Sequence, residues 1–83
     1  MYFLELSKSV ADFLRKSDKL LRERIINKLE ELKQNPEIGK PLTGNLSGLW
    51  SLRIGDYRAI YQVFQNKMLI LLLKLGHRKQ IYD

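Results

Sequence analysis

The sequence predicts an α+β fold: an N-terminal strand and an αα-hairpin packed on one face of a mostly antiparallel, twisted four-stranded sheet. Three observations lead there. Apolar residues recur at helical spacing over residues 19–34. Three apolar-rich runs follow at 49–54, 57–64 and 68–75, separated by short turn signals. The first of these signals, Gly55-Asp56, is of the two-residue kind that closes a β-hairpin. With 83 residues the chain is a single domain, 1–83.

Tyr2–Leu6 is a short strand that joins the sheet beside a later one. Ser9 caps a short helix, Val10–Lys16, with Val10, Phe13 and Leu14 on one face. Ser17 or Asp18 caps a longer helix, Lys19–Gln34. Leu21, Ile25, Leu29 and Leu32 form its apolar stripe, with Ile26 beside them. Asn35-Pro36 ends it. Residues 36–48, rich in Pro, Gly, Asn and Ser, read as a loop. Leu49–Ile54, Tyr57–Phe64 and Met68–Leu75 then form an antiparallel meander. Gly76 breaks the last strand, and Gln80–Tyr82 is a brief extended tail.

The hairpin fixes the register. A two-residue loop pairs Ile54 with Tyr57 and Arg53 with Arg58. Trp50, Leu52, Ile54, Tyr57, Ala59, Tyr61 and Val63 then share the face under the helices. Ser51, Arg53, Arg58, Ile60, Gln62 and Phe64 share the other. A three-residue second turn adds Leu69, Leu71, Leu73 and Leu75 to the helix side and sets Lys74 opposite Arg58. One covered face and one open face with a cationic centre result.

Like charges directly opposite one another destabilise a sheet. Two arginines so placed point to something negative, and a phosphate backbone is the obvious candidate. The formal net charge is +6. Residues 1–47 hold nine Lys/Arg against seven Asp/Glu, whereas residues 48–83 hold six against two. The basic surface is therefore concentrated in the second part, and nucleic acid or an acidic protein is the expected partner class. The chain has no cysteine, so disulfides and thiolate chemistry are excluded, in keeping with a reducing cytoplasm. No signal peptide is visible. The longest apolar run, Met68–Leu73, is far short of the ~20 residues that span a bilayer. No membrane partner is expected.

Were that phosphate backbone RNA, its cleavage without a metal would use the 2′-OH against the adjacent phosphate. It requires a base, an acid and positive charge for the phosphorane. His77 is the only histidine, which rules out a two-histidine acid–base pair. Asp56 and Asp83 are the only acids after Glu37, so no carboxylate cluster for Mg²⁺ is expected and no cofactor is called for. A cationic site is what remains.

Leu42–Trp50, Leu52-Arg53-Ile54-Gly55-Asp56-Tyr57-Arg58, Tyr61, Gly76-His77-Arg78 and Tyr82, in this order, resemble the RelE/ParE toxin superfamily. The resemblance spans essentially the whole chain. Its RelE branch implies a ribosome-dependent endonuclease that cuts messenger RNA in the decoding site and inhibits translation. It also implies a cognate acidic, RelB-like antitoxin in a toxin–antitoxin hetero-oligomer. The ParE branch implies a DNA gyrase poison instead, and a catalytically weak binding protein of the same fold is a third alternative.

On this resemblance Arg58 matches the family's central arginine, whose fork holds phosphate oxygens and stabilises the transition state. Arg53, Lys74 and Lys79 bind RNA. Arg78 matches the arginine after the last strand. A guanidinium is a poor proton donor at neutral pH, so its role is electrostatic. Tyr82, the family's terminal tyrosine, or His77, of the one side-chain type that ordinarily titrates near neutrality, moves the proton. One departure stands at Ser51, where the ribonuclease branch carries a lysine.

Overall fold

The fold is described from a computed structural model over residues 1–81. Five strands, β1 (Phe3–Leu6), β2 (Lys40–Pro41), β3 (Trp50–Ile54), β4 (Tyr57–Phe64) and β5 (Leu69–His77), form one sheet in the order β1-β5-β4-β3-β2. β1 runs parallel to β5, and every other pairing is antiparallel. Helices α1 (Lys8–Lys16) and α2 (Lys19–Gln34) lie on one face. The strand count is thus five, not four. The addition is β2, inside the segment read as a loop. Two residues, one of them proline, show no alternation, and proline is tolerated because β2 is an edge.

Asp18 caps α2, its Oδ1 accepting from the Leu21 N–H at 2.8 Å. The cap of α1 is Ser7 and not Ser9. Ser7 Oγ accepts from the Val10 N–H at 3.3 Å. The other end of α1 is closed by Arg22, whose guanidinium donates to Leu14 O at 2.9 Å and Ser17 O at 2.6 Å. A cation there satisfies terminal carbonyls and opposes the helix dipole. Val10 and Leu14 from α1 and Ile25, Leu29 and Leu32 from α2 pack onto Leu52, Ile54, Ala59, Tyr61, Ile70, Leu72 and Leu75. Leu21 is half-buried against this core, while Ile26, off the stripe, remains 44% exposed.

The first hairpin has the expected register, with Ile54 paired to Tyr57 and Arg53 to Arg58. Of the two turn residues only Gly55 has a positive φ, +60°, the pattern of a type II′ turn. The second connection departs from expectation. It has four residues, Gln65–Met68, with Met68 left-handed at φ 51° and Phe64 paired to Leu69. Ile70 and Leu72, rather than Leu69, Leu71 and Leu73, therefore enter the core. A β-bulge then restores the phase. Tyr61 pairs with Leu72 but Ile60 with Lys74, leaving Leu73 as the extra residue. Beyond it Leu75 is buried and Lys74 exposed, as expected, but Lys74 lies opposite Ile60 and one diagonal step from Arg58. Ser7 Oγ donates to the Leu73 carbonyl at 3.0 Å, so the cap of α1 also satisfies the bulge.

Gly76 does not break β5, which continues to His77. Residues 78–81 after it form a turn rather than the start of an extended tail, and Tyr82 lies outside the described residues. Ile81 is buried, and its Cδ1 lies 3.4 Å from where a β-carbon on Gly76 would stand. Gly76 pairs with Arg58, so the turn folds back over the open face. Among the described residues no helix is long and apolar enough to cross a membrane.

Candidate active site

The helices bury one sheet face and leave the arginine pair on the other. Arg53 and Arg58 are paired across β3 and β4. On its second flank Arg58 pairs with Gly76, whose bare α-carbon lets the Ile81 side chain approach. Arg58 is half-buried, and its Nη1 donates to Tyr57 O at 3.3 Å. The ion pairs among the described residues join Arg15 to Asp12, Lys28 to Glu31 and Lys33 to Glu30, and none engages Arg53, Arg58, Lys74 or Arg78.

A cavity of about 240 Å³ opens beside the arginine pair. Arg53, Arg58 and Ser51 line it from the sheet, and Ile38, Gly39, Lys40 and Leu42 from the segment around β2. A roomier hollow of about 340 Å³ lies around the last turn, lined by Lys74, Gln80 and Ile81 together with Ser9 and Phe13 of α1. Only the smaller cavity contains both arginines. Its wall is fastened from the core. The Tyr61 hydroxyl donates to Pro36 O at 2.6 Å and accepts from the Gly39 N–H at 3.2 Å. A β-carbon at Gly39 would lie 2.5 Å from Tyr61 Oη, so only glycine fits there. Tyr61 is fully buried and stacks on Trp50 at 6.1 Å, and burial pushes its hydroxyl pKa up to about 12.

Two guanidinium forks at a concave wall, with no carboxylate partner among the described residues, suit an anion. The model of the ParE toxin of type II toxin–antitoxin systems (parDE) matches residues 4–82. The chain belongs to this toxin family. Toxin RelG of Mycobacterium tuberculosis is 36% identical over 53 residues, a match spanning 63% of this chain but only 61% of RelG. The mRNA interferase toxin RelE of Escherichia coli is 27% identical over 81 residues, covering 95% of this chain and 85% of RelE. Among solved structures, the toxin–antitoxin complex RelBE2 of M. tuberculosis superposes with a TM-score of 0.84 at 25% identity, covering 93% of this chain and 98% of that one.

Within this ParE-family fold the expected site residues divide. Arg53 and Arg58 share the cavity, and Lys74 is a diagonal neighbour on the same face. The backbone of Arg78 is tied to the hairpin tip, its N–H donating to Asp56 O at 2.9 Å. The Arg78 and Lys79 side chains are exposed. His77 belongs to the other face. It pairs with Tyr57, and the two rings meet edge-on at 5.6 Å, with Phe13 of α1 edge-on to Tyr57 beyond. His77 Nδ1 accepts from the Lys79 N–H at 3.3 Å, so the ring braces the last turn. Tyr82 lies outside the described residues. Trp50, Tyr57 and Tyr61 pack with the core, as alternation implies. The sequence reading missed Lys40, because nothing in a Pro- and Gly-rich stretch showed that it belongs to a strand.

Proposed function

We propose that this chain is the toxin of a type II toxin–antitoxin module and cleaves messenger RNA without a metal. The observation that carries the reading is the opposed Arg53–Arg58 pair, unneutralised among the described residues, at the wall of a cavity on the open face. The names of its relatives, RelE above all, support it. In this scheme the 2′-oxygen attacks the adjacent phosphorus and a P–O2′ bond forms. The P–O5′ bond then breaks and the leaving 5′-oxygen takes a proton from solvent water, leaving a 2′,3′-cyclic phosphate and a 5′-hydroxyl. The phosphorane between these steps carries extra negative charge. Arg58 binds its non-bridging oxygens, and Arg53 and Lys74 hold the RNA backbone. Arg78 and Lys79, on the turn fastened to the hairpin tip, neutralise the leaving side. Tyr82 is assigned the proton from the 2′-OH. The His77 ring lies across the sheet from Arg58, so His77 is assigned to positioning that turn.

Among the described residues the arginine pair lines a cavity of about 240 Å³, too small to align an RNA strand. The ribosome is therefore assigned that task, as orientation is a large share of catalysis. A cognate acidic antitoxin would silence the toxin by laying carboxylates over the same arginines. The RelBE2 complex supports such a partner.

A second reading is favoured by the matched family model, which is that of ParE. In it the chain poisons DNA gyrase by binding, with no RNA chemistry. Primer extension on ribosome-bound mRNA, run beside a gyrase assay on plasmid DNA, separates the two. Cut mRNA with intact plasmid is expected, and the cut is lost in Arg78→Ala. Intact mRNA with gyrase-linked DNA breaks would establish the second reading.

A further inference from the structure

The cavity beside Arg53 and Arg58 has a third cation. Lys40 opens β2 and pairs with Ser51 of β3. Directly paired residues share a sheet face. Lys40 therefore projects from the face of Ser51, Arg53 and Arg58, and it lines the same cavity. It is exposed, and none of the ion pairs among the described residues includes it.

Its backbone is held on both sides. Before it, Gly39 is pinned to the buried Tyr61 hydroxyl at 3.2 Å and packed too closely for any side chain. After it, Pro41 has a ring-fixed φ and pairs with Trp50. The Leu42 N–H then donates to Leu49 O at 2.8 Å. A lysine on a free loop pays the ordering entropy when it binds, whereas this segment is already ordered. Three cations around one hollow repel each other until an anion enters it.

We propose that Lys40 is a substrate-contacting residue, its Nζ donating to a non-bridging oxygen of the phosphodiester that Arg53 and Arg58 hold. The ligand class is the RNA backbone, and the inference rests on the RNA-cleaving reading above. Lysine supplies here a point charge from the β2 edge, complementing the two forks from the sheet.

The test uses the whole chain and an RNA trinucleotide made uncleavable by a single 2′-deoxy sugar at the scissile position, titrated by NMR at several salt concentrations. Lys40→Met is expected to weaken binding about tenfold, the size of one lost charge-assisted hydrogen bond. Its salt slope falls by about 0.7, the share of one phosphate contact on a single strand. Lys40→Arg restores both, which a merely structural role would not explain. Binding by Lys40→Met at wild-type strength, weakened binding with an unchanged salt slope, or no binding by the wild type overturns the proposal. A wild-type chain that leaves ribosome-bound mRNA intact yet shows this Lys40 pattern would sink the nuclease reading and leave the phosphate contact standing. A chain that cuts mRNA while Lys40→Met binds normally would do the reverse.

Discussion

Arg53 and Arg58 face each other across two strands, where most sheets place a neutral or opposite-charge pair. The cost of that choice is measurable. Arg53→Thr keeps a good strand residue and removes the repulsion. It is expected to raise stability by about 0.2–1 kcal/mol in urea unfolding while slowing RNA cleavage. Tyr61 works in the opposite direction, holding the cavity wall from the core. Tyr61→Phe leaves the Pro36 carbonyl and the Gly39 N–H without their partner, at a cost of about 1–3 kcal/mol. The hydroxyl also sets an alkaline limb. Burial lifts its pKa from the ordinary 10.0 to about 12 in the fold, so the folded state favours the protonated form. The stability it contributes is whole below pH 10 and is lost as pH rises towards 12. Tyr61→Phe should remove that loss from a pH series of unfolding curves.

At the level of elements, the bulge in β5 decides which side chains meet on the open face. It depends on Ser7, whose one hydroxyl accepts from Val10 N–H and donates to the Leu73 carbonyl. Ser7→Ala should lower stability by about 1–2 kcal/mol, as the loss of a helix cap does. Ser9→Ala, at an exposed hydroxyl 3.4 Å from the same carbonyl, should stay within about 0.5 kcal/mol. Thermal unfolding of the two variants checks the difference. The helices and the first hairpin were legible because 3.6-residue spacing and a Gly-Asp turn encode them locally. The inward phase of β5 was not. Met68–Leu73 is apolar at every position, so it carries no alternation to read. Its phase comes from a four-residue connection and from a bulge stabilised by a serine 66 residues away. Lys74 reached the open face as expected, but through these two departures together. Lys40 was illegible for a related reason: its strand is defined by its partner Ser51 and by Tyr61, both distant in sequence.

Across the whole molecule, two helices bury their apolar stripes on one sheet face and leave the other to a cluster of cations. The arginine pair, Lys40 and Lys74 are fixed there on rigid backbone, and the last turn is folded back beside them by Ile81. On the proposed reading, that division lets a chain with no cysteine and a single histidine act on a phosphodiester through positive charge on the sheet. It also explains why an acidic partner would silence it. The most direct test is the single-turnover rate at which Arg58→Ala cuts ribosome-bound mRNA. A fall of about 100-fold or more, with unfolding still cooperative, is expected of a group that binds the phosphorane. Cleavage at the wild-type rate would contradict it.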